Sequence, residues 1–193
     1  RESSLIVCGI SPDDGRIDFI MKSGQNVGAK KFPVIDVFRT VRIDFQPVRE
    51  GMPTVYSAEG ISEFDAVSNH AEHYLLACEL GRFALENSSP QLPCPELCGA
   101  LQFLLGEFCR DNTTITPEQA RLLLRLAFLN ENGLLPEELS PDPQKNDLQQ
   151  RLMAILLEAA QGDMPLPVLS PDYWKQLEDW SGQLCIYHGL KVS

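Results

Sequence analysis

The sequence is short of positive charge. Its 193 residues carry 16 Lys and Arg against 27 Asp and Glu, a net charge of −11, which opposes non-specific adhesion to nucleic acid by the whole molecule. No apolar run is long enough to cross a membrane and none resembles a secretory signal, so a cytoplasmic protein with no membrane partner is expected. Histidine is scarce. His70 and His73 stand three apart on a helical pattern, but no second segment offers a matching ligand set, and no metal is expected. There is no G-x-S-x-G elbow and no phosphate-binding glycine loop. The acidic pairs Asp13-Asp14 and Glu137-Glu138 are adjacent in turns and diverge, so neither acid/base nor nucleophilic catalysis is expected, and no cofactor. Of the six cysteines only Cys94 and Cys98 are close, with no second pair to complete a zinc site, and reduced, mostly buried thiols are expected. The acceptor-like tripeptides Asn87-Ser88-Ser89 and Asn112-Thr113-Thr114 are chance matches in that context.

What is present changes character near residue 65. Residues 1–66 hold 8 Lys and Arg against 10 Asp and Glu; residues 67–193 hold 8 against 17. Between Lys22 and Arg49 six basic residues face two acidic ones, a local excess able to attract phosphate. The same first third reads as strands. The apolar run Leu5–Ile10 stops at Ser11-Pro12-Asp13-Asp14-Gly15, a turn signal, and Ile17, Phe19 and Met21 then alternate with Arg16, Asp18 and Lys22, so a hairpin is predicted. Val34–Phe45 and Thr54–Ile61 supply two further strands. Four strands suit a small five-stranded barrel of the OB kind whose first strand lies before Arg1. Such barrels bind single strands in a basic groove with aromatic rings for stacking, and Phe19, Phe32, Phe38, Phe45 and Tyr56 are available, most of them expected to fill the interior.

From residue 65 onward the pattern is helical. Val67–Leu85 and Pro95–Phe108 carry apolar residues at helical spacing. Thr116-Pro117-Glu118-Gln119 is a capping box with proline at the first helical position, and Gly133 is a stop. Leu148–Ala159 predicts a fourth helix ending near Gly162, and Ser170-Pro171 caps a fifth that runs to Tyr187, with His188 at its end. The expected architecture is α+β: an OB-fold-like small β-barrel over residues 1–64, then an all-α helical domain over 65–193.

In order along the chain these pieces resemble the RecO family of recombination mediators. "RESSLIVCGISPDDGRIDFIMKSG" is similar to the family's second and third strands, "FPVIDVFRTVRIDFQPVREG" to the fourth and "MPTVYSAEGIS" to the fifth. "EHYLLACELGRFALE" resembles the tyrosine-bearing first helix, "ARLLLRLAFLNENGLLPE" the segment before the family's zinc finger, and "LCIYHGLKVS" the last helix with its histidine. Where that finger would follow, Pro136–Asp147 holds no cysteine, so no zinc is expected. The resemblance implies a non-catalytic DNA repair protein, nucleoid-associated in a bacterial cytoplasm. It would bind single- and double-stranded DNA, anneal strands, and help load recombinase onto DNA coated with single-strand-binding protein, with a RecR-type partner. On this basis Lys22, Lys30, Lys31, Arg39 and Arg42 would contact phosphates. Arg121 and Arg125, four apart on the capped helix, would take the acidic tail of the single-strand-binding protein. The acidity of the helical part motivates the alternative, a protein-interaction adaptor of the same architecture with little DNA affinity.

Overall fold

The computed structural model describes residues 4–22, 36–46, 48 and 51–192. Among them are a mixed four-stranded sheet and, after it, five α-helices. The strands are β1 (Ser4–Ser11), β2 (Gly15–Lys22), β3 (Arg39–Gln46) and β4 (Thr54–Glu63). A short 3-10 helix over Asp65–Asn69 leads into α1 (Ala71–Asn87), α2 (Pro95–Phe108), α3 (Pro117–Glu131), α4 (Pro143–Ala160) and α5 (Pro171–Tyr187). No described helix is long and apolar enough to cross a membrane.

The hairpin forms because its turn chemistry agrees with its strands. β1 and β2 pair antiparallel from Ser4↔Lys22 to Ser11↔Gly15. Ser11 Oγ accepts the amide N–H groups of Asp13 and Asp14, and Gly15 takes the left-handed conformation, φ +67°, that closes a three-residue loop. The sheet order is β1-β2-β4-β3: β4 runs parallel to β2, meeting it at Ile20↔Thr54, and antiparallel to β3. One face buries Phe19, Met21 and Val55, a small core apart from that of the helices.

β3 begins later than the sequence pattern predicts. Phe38 sits at φ +57°, so the chain turns there, immediately before β3. Its ring leaves the sheet and packs edge-on against Tyr74 of α1, centroids 5.7 Å apart. The predicted first helix also divides, because the 3-10 turn precedes α1. The capping box at Thr116/Gln119 forms with both bonds, and Gly133 and Gly162 take positive φ just past α3 and α4. α4 starts five residues before its apolar stripe, where Asp142 accepts the N–H groups of Gln144 and Lys145 ahead of Pro143.

α3 is the axis of the helical body. Every residue from Leu122 to Leu129 is buried, because α2, α4 and α5 pack around it and α1 touches it as well. It also caps a neighbour. The Glu131 carboxylate accepts the N–H of Glu96 at 2.8 Å and of Leu97 at 3.3 Å, satisfying the start of α2, whose own N-cap Cys94 makes no side-chain cap. Burial pushes the Glu131 carboxyl up, and these two amides oppose the shift. Glu131→Ala should therefore cost about 1–2 kcal/mol in denaturant unfolding, as for a lost N-cap.

The change from strand to helix falls between Glu63 and Asp65, yet backbone bonds tie the sheet to the helical body. Cys94 N–H donates to Pro12 O at 3.0 Å, Gln91 N–H to Asp14 O at 2.8 Å and Arg16 N–H to Ser89 O at 3.2 Å. The Arg16 guanidinium reaches further, donating to Leu85 O near the end of α1.

Candidate nucleic-acid interface

Strand alternation sorts the sheet into two faces. Opposite Phe19, Met21 and Val55 lie Ile6, Cys8, Asp18, Ile20, Thr54 and Tyr56, with Arg42 and Asp44 on β3. Tyr56 sits at a bulge, where the β3–β4 register shifts between Asp44 and Phe45, and the residue is 67% exposed. Ile6 is also open to solvent. Of the aromatic candidates, Phe19 is buried, Phe38 and Phe45 are half-buried, and Phe32 lies outside the described residues. Tyr56 is thus the candidate ring that presents a free π-face.

The basic candidates are less open. Arg39 is held by Asp65 through Nη2–Oδ2 at 2.9 Å and a second bond from Nε, and its side chain is mostly covered. Arg42 meets Glu59 at 3.7 Å, with both side chains more than two-thirds exposed; such a pair contributes little and exchanges readily for a phosphate. Arg16, which the sequence reading did not single out, bonds Asp18 at 3.1 Å; its guanidinium holds the Asp18 carboxyl below the usual range. Lys22 ends β2, its backbone paired with Ser4 and its side chain outside the described residues, as are Lys30 and Lys31 altogether. The structure therefore puts Arg42 on the open face with Tyr56, gives Arg39 an anchoring carboxylate, and leaves the lysine positions undescribed.

Arg121 and Arg125 lie on α3 as expected, but both meet carboxylates of this chain. Arg121 binds Glu79 of α1 through two bonds, Nε–Oε1 at 2.6 Å and Nη2–Oε2 at 3.1 Å, and Glu79 holds its pKa up. Arg125 is 6% exposed and donates to Glu178 Oε1 at 2.7 Å and to Glu178 O at 3.3 Å. The recess between them, bounded by Glu79, Leu80 and Phe83, is a cavity of about 10 Å³, enough for a water molecule and too small for a side chain. An acidic tail at Arg121 would compete with Glu79 for a side chain 28% exposed, and Arg125 is buried within the enclosed stretch Leu122–Leu129 of α3.

One region of the helical body is acidic. A broad cleft of about 360 Å³ beside the start of α2 is walled by Glu96, Glu158 and Asp163. His73 Nδ1 lies 3.2 Å from Phe108 O with its ring stacked on that phenylalanine, while His70 faces Asp111. Among the described residues no group of three or more His, Cys, Asp or Glu is placed to hold a metal ion. Comparison with models of known protein families gives no match, and no curated protein matches the chain.

Proposed function

We propose that this chain is a non-catalytic DNA-binding protein of RecO-like architecture that binds single- and double-stranded DNA and anneals strands in repair and recombination. The strand order carries this reading. Among the described residues β1 and β3 are the two edges of the sheet, and they run in the same direction, because β2 opposes β1, β4 parallels β2 and β3 opposes β4. One further strand, antiparallel to both edges, would close the four into a five-stranded Greek-key barrel of the OB kind. That arrangement is hard to reach from a simple meander, which would place β3 beside β2. The open face with Tyr56, Ile6 and Arg42 then becomes the barrel's outer surface, suited to a base stacked on the ring and a phosphate on the guanidinium.

On this reading Lys22, Lys30, Lys31 and Arg42 neutralise phosphate, and Arg39 orients the β3 edge through Asp65. Loading of recombinase, a RecR-type partner, contact with the single-strand-binding protein tail at the Arg121 side of α1 and α3, and a place at the bacterial nucleoid belong to the same proposal. The adaptor reading is favoured by one observation: the described arginines of the sheet, Arg16, Arg39 and Arg42, each meet a carboxylate.

Fluorescent single-stranded DNA titrated at several salt concentrations separates the two. The mediator reading expects log Kd to depend on log salt with a slope of about 0.7 per phosphate contact. Replacing Lys30 and Lys31 together with glutamine should reduce that slope by about 1.4. Tyr56→Ala should weaken binding by about 1–3 kcal/mol without changing the slope, since stacking carries no counterion. Absence of binding at low salt would leave the adaptor.

A further inference from the structure

We propose that Cys94 and Cys98 form a reversible disulfide that loosens the docking of the β1–β2 turn on the helical body. This inference does not depend on the DNA-binding reading. The two sulfurs already touch, 3.7 Å apart, and the first helical turn brings the backbones together, with Cys98 N–H donating to Cys94 O at 3.0 Å. Four residues of helical rise give a Cα separation of about 6 Å, inside the range a disulfide spans.

Their surroundings divide the labour. Cys94 is the N-cap of α2, where the helix dipole favours a thiolate. The Cys98 S–H held against it favours ionisation at Cys94, against burial and the nearby Glu131. Ser88 Oγ, shut from solvent with no hydrogen-bond partner, is a hydroxyl left free to donate to a Cys94 thiolate. Cys98 is held protonated by the same contact and by burial. Cys94 is thus the attacking sulfur and Cys98 the resolving one. The exposed thiol, Cys8, has Asp18 beside it, which raises its pKa.

The oxidant is a hydroperoxide, small enough to reach Cys94 when the turn covering it lifts. The Cys94 thiolate attacks one peroxide oxygen; the O–O bond breaks, and the leaving hydroxide takes the proton Cys94 gave up, forming water and a sulfenic acid. The Cys98 sulfur then attacks Cys94 Sγ, the S–O bond breaks, and the departing hydroxide takes the Cys98 proton. Two thiols and one hydrogen peroxide become one disulfide and two waters. The consequence follows from what Cys94 holds: its S–H donates to Ser11 O at 3.3 Å, and its N–H to Pro12 O. The disulfide has no proton to donate, so Ser11 O loses that donor and the turn loses one of its anchors.

The whole protein treated with hydrogen peroxide, alkylated and cleaved after glutamate tests this, since Glu96 lies between the two cysteines. The expected product is a pair of peptides joined through Cys94 and Cys98, separated again by dithiothreitol. Amide hydrogen exchange at Gln91 and Cys94 should be about fivefold faster in the oxidised protein, the scale of one lost hydrogen bond. Cys98→Ser, which leaves the Cys94 bonds to the turn in place, should stop at a sulfenic acid that dimedone traps. Full alkylation of both thiols at peroxide doses that oxidise Cys8 would overturn the proposal. So would a disulfide that leaves the exchange of both amides unchanged.

Discussion

Gly15→Ala should destabilise the protein by about 3 kcal/mol, combining the left-handed backbone penalty with overpacking. For a chain of this size that corresponds to a melting temperature lower by about 6–12 °C. Gly15 has φ +67°, and a Cβ there would overlap the carbonyl oxygens of Ser89 and Leu92, backbone atoms with no freedom to turn aside. Those atoms are fixed by the same ladder that joins sheet to body: Arg16 N–H donates to Ser89 O, and Gly15 bridges to Pro90. Two controls separate the causes. Gly133→Ala shares the positive φ but has open space around it, so it should cost only about 1 kcal/mol. Gly9→Ala has ordinary φ and open space, and should be close to neutral. Equal melting temperatures for Gly15→Ala and Gly133→Ala would mean that the turn is not docked as described.

That docking was invisible in the sequence. Pro12-Asp13-Asp14-Gly15 reads as a turn and Ser88–Pro95 as a proline-rich connection, and nothing local says that one lies on the other. The bonds join residues 73, 77 and 82 positions apart, and backbone pairing leaves no residue-type signature. Local devices were legible because their chemistry is local: the capping box at Thr116, the left-handed stops at Gly133 and Gly162, and the Ile17/Phe19/Met21 alternation of β2. Phe38 broke the pattern for a tertiary reason. Its place against Tyr74 on α1 outweighs the strand preference of Val34–Phe45 and draws its backbone to positive φ. Tyr56 could be named as a candidate but not chosen from five aromatics, because choosing requires knowing which face is covered. The trans-cap by Glu131 has the same character: a carboxylate at the end of one helix satisfies the start of another.

Arg125 is the clearest case, and it carries the second large expected effect. The stripe Leu122, Leu123, Leu126 and Leu129 predicts a one-sided helix with Arg121 and Arg125 in solvent, but α3 is buried all round from Leu122 to Leu129, and of the two arginines only Arg121 keeps partial exposure. Arg125→Ala should cost about 3–5 kcal/mol, because it strands the Glu178 carboxylate, mostly covered at the α3–α5 contact, without its cation. Arg125→Lys should recover only part of that. Lysine's shorter side chain has to bring its ammonium to the point beside Gly182 from which Arg125 Nη1 now donates to both Glu178 Oε1 and Glu178 O. Replacing Arg125 and Glu178 together with leucine should restore most of the loss, since it removes both desolvated charges, and Ser181 Oγ still serves Glu178 O. Thermal unfolding of Arg125→Leu, Glu178→Leu and the double leucine variant, closed as a cycle, measures the coupling. A near-zero coupling, with unchanged melting temperature in Arg125→Ala and weaker binding of an acidic peptide, would return Arg125 to a partner's surface. A coupling of several kcal/mol fixes it as the charge that joins α5 to the central helix, and leaves Arg121 as the cation on α3 that an acidic tail could win from Glu79.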